Sequence, residues 1–242
     1  MKVAVVTPYF NTHPEWLRQC HESVMAQTFP CTHILVADGR PLDMVDKFAA
    51  QHVRLSVNCD DYGNTPRGIG SVLAVSQGFD AIAYLDADNW FYPEHIATMV
   101  ELQQNSGASV VTSARNLHRL DGSLLGLCPH VDGNSFIDTS CFFLTRTAFI
   151  LLPVWWCIPS HLHAIGDRVL WGNVQYLKLS HAHSTSVTVA YRTAFIEHYQ
   201  KFNETPPEGA KSWHSLVEVL NRARHEAQER AAQNQNHPTA EQ

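Results

Sequence analysis

The 242-residue chain is 45% hydrophobic and carries 17 basic against 23 acidic residues, a formal charge of −6. That length suits one large α/β domain with a well-buried core, and the acidic balance argues against a nucleic-acid partner, so any phosphate binding has to be local. Met1-Lys2 leads straight into strand-like sequence with no apolar leader or small-residue cleavage site, and the longest apolar run, Thr147–Ile158, contains Pro153 and is too short to span a bilayer, so the expected location is cytoplasmic, with peripheral contact at the inner membrane face left open.

Lys2–Thr7 reads as the first strand and runs into Thr7-Pro8-Tyr9-Phe10-Asn11. A dinucleotide fold would place glycines there for close approach of a pyrophosphate; their absence disfavours a Rossmann oxidoreductase and leaves an aromatic pair and an amide suited to a nucleobase. Pro14–Gln27 has the spacing of an amphipathic helix with Trp16, Leu17, Cys20, Val24 and Met25 on one face. Thr32–Ala37 is the second strand, ending in Asp38-Gly39. An Asp before Gly is commonly a turn residue; at this sheet edge it also suits a hydrogen bond to a base or ribose. Leu42–Gln51 is expected to be a helix and His52–Val57 a third strand. The glycine-rich stretch Asp60–Gly70 then opens another helix, where Arg67 suits a phosphate or a carboxylate, or simply a surface position in a capping loop.

Ala81-Ile82-Ala83-Tyr84-Leu85 is a short apolar run of the kind a doubly covered parallel strand shows. Asp86 and Asp88 follow at its C-terminal end, where ligands bind in open α/β sheets. Two carboxylates one residue apart repel unless a cation or solvent intervenes, and a hard divalent metal carrying phosphate oxygens relieves that repulsion. The bland alternative is a turn or cap.

Gly107–Ser113 gives a fifth strand, Asn116–Leu127 a hairpin around Asp121-Gly122, and Phe136–Thr145 a further strand. Strict alternation of strand and helix ends here, so a mixed sheet is expected. Between Pro153 and Trp171 the chain concentrates Trp155, Trp156, His161 and His163 ahead of Gly166-Asp167-Arg168. Asp167 there reads either as an acidic first turn or as the general base of a sugar site. Within Ser180–Arg192, His181-Ala182-His183 comes before the strand-like Ser186–Tyr191; in a strand such a pair shares one face, an arrangement that binds metal or is merely solvated. The six cysteines form no CxxC pair and read as reduced core thiols. A helix around Trp213–Leu220 and a polar, fraying tail from about His225 complete the expected layout.

In this order, VAVVTPYFN, ESVMAQTFPCTHILVADG, GNTPRGIG, AYLDADNWFYPEHI, FIDTSCFFLTRTAF and IGDRVLW before VTVAYR resemble the family-2 glycosyltransferases with a GT-A fold, over roughly Val3 to Arg192. The resemblance implies an α/β, Rossmann-like mixed sheet flanked by helices in a single domain over 1–200, with a nucleotide-sugar half (1–105) and an acceptor half (106–200), followed by a C-terminal helix and flexible tail (201–242). It implies that Thr7, Pro8 and Tyr9 surround the nucleobase with Asp38 as its carboxylate, and that Arg67 contacts the diphosphate or donor. Asp88 would ligate a divalent metal, manganese or magnesium, with Asp86 nearer the ribose or a metal-bound water. Of the downstream histidines His181, His183 and His198, His183 is taken as the third ligand. Asp167 would be the base, although Gly166 stands where the family often has Glu. The implied reaction is inverting transfer from a nucleotide-sugar, most often a UDP-sugar, to a carbohydrate or lipid-linked acceptor. A sugar nucleotidyltransferase, a phosphatase and a silent nucleotide-binding module are the rival readings.

Overall fold

The computed structural model describes residues 1–130, 132–214, 218, 219, 221, 222 and 225. Its first half alternates β1 (Val3–Tyr9), α1 (Pro14–Met25), β2 (Cys31–Ala37), β3 (Gln51–Arg54), α2 (Asn64–Ser76) and β4 (Ala81–Tyr84). Every residue of β1 and β4 is buried, as the apolar runs Val3–Val6 and Ala81–Tyr84 suit strands covered on both faces. β1 pairs in parallel with β2 and with β4, and β2 carries β3 on its outer side. Pro8 is tolerated inside β1 for a positional reason. It shares parity with Val6, whose carbonyl accepts from Leu85 on the β4 side. β4 pairs only as far as Val6, so the N–H that Pro8 lacks has no ladder to serve.

The second half is β5 (Trp90–Phe91), α3 (His95–Ser106), β6 (Val110–His118), β7 (Leu124–Leu127), β8 (Phe142–Thr145), α4 (Val154–Cys157), α5 (Gly166–Tyr176), β9 (His181–Arg192) and α6 (Ile196–Lys201). The sheet order is β3-β2-β1-β4-β8-β6-β9-β5, with β7 on β6. β8 runs antiparallel to both β4 and β6, which makes the sheet mixed as expected. β6 and β7 form the antiparallel hairpin, with Gly122 at φ +88° in its turn. The largest buried cluster lies between β1, β4, β6 and β8 and the helices on either face, with Tyr84, Phe142, Phe143 and Trp155 at its centre.

Three local expectations are corrected. Leu42–Gln51 contains only a 3₁₀ turn over Asp43–Lys47, because Leu42, Met44, Val45, Phe48 and Ala50 pack at irregular spacing around Tyr9 and Leu17, and the Leu42 N–H donates to the Tyr9 hydroxyl at 3.0 Å. The strand expected from Phe136 begins only at Phe142, since Asp138 first caps a 3₁₀ turn by accepting from the Ser140 N–H. Met25 is exposed, and His21 takes its place on the buried face of α1. Among the described residues no helix is long and apolar enough to cross a membrane. Most of the helix expected over Trp213–Leu220, and the tail beyond, lie outside the described residues.

Candidate functional site

The C-terminal ends of β1, β2 and β4 open into a cavity of about 660 Å³. Pro8, Tyr9 and Asp38 line it from the first two strands, and Asp86, Ala87 and Asp88 from the turn after β4. Thr7, expected beside them, is not part of its lining. Alternation along a strand sends neighbours to opposite faces, and the Thr7 hydroxyl lies against α1, sharing hydrogen bonds with His33 Nε2 at 2.9 Å and the Cys20 thiol at 3.9 Å. Tyr9 contributes its ring to the wall, while its hydroxyl is held by His52 at 2.7 Å and by the Leu42 N–H. Asp38 is buried and accepts from the Cys59 N–H at 2.8 Å. Gly39, at φ +78°, lets the chain turn beneath that loop, where a side chain would meet the Asn58 backbone nitrogen at 2.4 Å.

A second cavity of about 590 Å³ adjoins the first, and Tyr62, Arg67 and Asp86 line both. The loop that delivers Tyr62 is bent hard, with Asp60 at φ 52° and Tyr62 at φ 59°. Arg67 is buried on α2, where it donates to Asp86 Oδ1 at 2.6 Å and to the Tyr62 carbonyl at 3.0 Å. Its charge is therefore matched within the protein, which makes it a clamp on the first carboxylate of the pair. Ser140 Oγ accepts from the Asp86 N–H and the Asn89 amide, both at 3.2 Å. Arg192, lying over Trp16 and Trp90, donates to the Asp88 carbonyl. These contacts fix the turn before any ligand arrives.

Burial, with Asp86 as a second cause, pushes the Asp88 carboxyl up to about 7, partly offset by Arg192. That is the state of an oxygen pair short of positive charge. Two carboxylates fit a hard divalent cation that takes its remaining oxygens from phosphate and water. Among the described residues no three His, Cys, Asp or Glu side chains gather as a metal site. His183, expected as the third ligand, is not brought to the pair. It sits on β9 opposite Thr112, sharing a hydrogen bond with the Thr112 hydroxyl at 2.9 Å, and lines neither cavity. The contact of β9 with the Asp88 turn comes at Arg192, opposite His118. Six β6 positions separate Thr112 from His118, roughly 20 Å of strand. His198 does line the second cavity, with its Nδ1 on the Thr193 hydroxyl at 2.7 Å.

Asp167 lies in the first turn of α5 on the wall of the second cavity. Burial pushes its carboxyl up to about 7, with repulsion from Asp138 added and Arg168 opposing. Gly166 has a packing reason: a Cβ there would meet Asn64 Oδ1 at 2.5 Å. Asn64, buried at the start of α2, holds the His163 carbonyl at 3.1 Å and so fills the place a longer residue would need. Of the aromatic cluster before α5, Trp155 is core, donating to the Tyr84 hydroxyl at 3.0 Å, whereas His163 faces the cavity.

Several lining residues were not legible as site residues. Arg115 and Asp138 form a buried ion pair in the second cavity, with the Arg115 guanidinium 3.9 Å above the Tyr191 ring. Asp138 precedes the apolar run Cys141–Leu144, and only the antiparallel pairing of β8 with β4 brings it to the sheet edge where Asp86 lies. Lys211 lines the first cavity and Trp213 the second. Backbone hydrogen bonds of Lys211 to Ala194 and Ile196, and of Trp213 to the Glu197 carboxylate, fasten this strap.

The profile of Glycosyl transferase family 2 matches residues 4–151. Succinoglycan biosynthesis protein ExoW of Rhizobium meliloti (strain 1021) is 34% identical over 104 residues, 39% of this chain and 32% of that protein, so the chain spans about a third of this curated relative. Crystal structures of S. aureus TarS share the fold at low identity. TarS 1-349 in complex with UDP superposes with a TM-score of 0.63 at 15% identity, covering 92% of this chain and 71% of that one. The TarS 1-349 complex with UDP-GlcNAc gives 0.58 at 12%, covering 80% and 59%.

Proposed function

Since the chain belongs to glycosyl transferase family 2, we propose that it transfers a sugar from a UDP-sugar to an acceptor hydroxyl, with inversion and with Asp167 as the base. The observation that carries this reading is the meeting of two cavities at Arg67 and Asp86, with Asp88 on one and Asp167 on the other. A nucleotide-sugar laid across that boundary has its base against Pro8, Tyr9 and Asp38 and its sugar facing Asp167. The TarS complexes with UDP and UDP-GlcNAc support the choice of nucleotide.

Each step follows from groups in the chain. Asp38 and Asp61 line the first cavity, and Asp61 Oδ1 is buried without a hydrogen-bond partner among the described residues, so it suits a ribose or base donor. Arg67 holds Asp86 in place. Lys211 lines the same cavity, and its positive charge would offset that of the diphosphate. Asp88, with Asp86, would hold a divalent cation such as manganese or magnesium, which when bound neutralises charge on the departing diphosphate. Asp167, ionised above about pH 7, takes the proton of the acceptor hydroxyl as it attacks the anomeric carbon. The second cavity, about 590 Å³, has the volume of a site for a sugar-sized acceptor.

A thermal-shift screen of UDP, GDP and dTDP with and without manganese tests the donor assignment. UDP with manganese should raise the melting temperature most, because a ligand bound only by the folded state stabilises by mass action. Equal shifts for all three would reject the uridine assignment.

A further inference from the structure

Resting on that reading, we infer that the molecule seated in the second cavity carries a carboxylate or phosphate, and that Arg168 receives this anion beside Asp167. The charge balance of the cavity points to it. Arg67 is matched by Asp86, and Arg115 by Asp138. Arg168 lines the same cavity, yet among the described residues its guanidinium has no ion pair and no hydrogen-bond acceptor. It is held by Phe136, with the guanidinium carbon 4.6 Å over the ring. Stacking on one face fixes the plane of the group and leaves its N–H edge for an oxyanion, a geometry suited to bidentate recognition.

The neighbouring carboxylate does not use that edge. Asp167 Oδ1 accepts instead from the Arg168 backbone N–H at 2.7 Å. Arg115, Arg168 and Lys201 add to burial in holding His130 below its usual range, with Asp132 opposing. His198 is also driven down, chiefly by burial and then by Arg115, and brings no counter-charge. Arg168 does not line the nucleotide cavity, which separates its anion from the donor diphosphate. Because Asp167 and Arg168 are consecutive, the anion they select lies close to the nucleophilic hydroxyl. A uronate or a sugar phosphate has that arrangement.

The test is calorimetric titration of the full chain, loaded with UDP and manganese, with methyl β-D-glucuronide, glucose 1-phosphate and neutral methyl β-D-glucoside. At least one anionic probe should bind about tenfold or more tighter than the glucoside, the scale of one charge-assisted contact. Whichever anionic probe is preferred identifies the source of the charge. Arg168→Gln should erase the preference, Arg168→Lys should keep part of it, and both should retain the wild-type melting temperature. Asp167→Asn should retain or strengthen it. The proposal is overturned if the glucoside binds as tightly as both anionic probes, or if Arg168→Gln leaves the preference intact. It is also overturned if Arg168→Gln weakens UDP instead, which would place Arg168 on the donor. Failure of the wild type to bind UDP would reject the nucleotide reading, while the probe preference, measured without UDP, would still decide the role of Arg168.

Discussion

Arg67 donates to Asp86 across 2.6 Å at the boundary shared by the two cavities. The guanidinium side is the more deeply buried, with 9% of the Arg67 side chain exposed against 26% for Asp86. Asp86→Asn therefore strands a buried cation. Removing one member of a buried pair costs about 3 kcal/mol or more, lowered here by relief of repulsion on Asp88. Urea unfolding should show a reduced midpoint with an unchanged slope. In the same variant, carbon-13 titration should find the Asp88 carboxyl below its wild-type value of about 7.

On the proposed metal role of Asp88, cation binding should depend on pH. Its folded value of about 7 lies above the ordinary 3.8. The proton thus stabilises the metal-free protein fully below about pH 4, and that contribution is lost as pH rises through 7. Manganese held by Asp88 would compete with that proton for the same oxygens, so its enhancement of UDP affinity should weaken by up to about tenfold per pH unit below 7. Asp88→Asn should abolish the enhancement. Manganese strengthening UDP in this variant as it does in the wild type would remove Asp88 as a ligand.

Lys211 lines the first cavity, where the proposed reading seats the nucleotide. Lys211→Ala should weaken UDP several-fold while leaving uridine unchanged, because only the diphosphate carries the complementary charge. Equal effects on the two ligands would show that the strap acts by packing alone.

Gly166→Ala drives a methyl group toward Asn64 Oδ1 at 2.5 Å. The expected loss is about 1–3 kcal/mol, the usual scale of overpacking. Adding Asn64→Gly should recover part of it, so the pair should be non-additive in a double-mutant cycle. Additive losses would mean the two residues do not compete for space.

The parts of this molecule legible in its sequence were those set by one-dimensional pattern. The apolar runs Val3–Val6 and Ala81–Leu85 located β1 and β4, and their ends located Pro8, Tyr9, Asp86 and Asp88 on the cavity wall. The face of Thr7 was also recoverable, since strand alternation opposes it to Pro8. The separation of His183 from the Asp88 turn is not legible in the sequence, because it depends on strand pairing. Arg115, Asp138, Tyr191 and Trp213 meet only because β8 inserts between β4 and β6 and the strap folds back on α6. No local periodicity encodes such long-range pairings.

The central claim rests on Asp167, and the most direct test measures UDP affinity and UDP release from a UDP-sugar, over an acceptor panel, in wild type and Asp167→Asn. The amide keeps the shape and loses the basicity. UDP affinity should stay within about twofold and turnover should fall on the order of 10²–10⁴-fold, the scale of a positioned base. The wild-type rate should rise with pH through about 7 as Asp167 ionises, and this limb should vanish in the variant. Turnover at the wild-type rate in Asp167→Asn, with the same pH profile, would contradict the account.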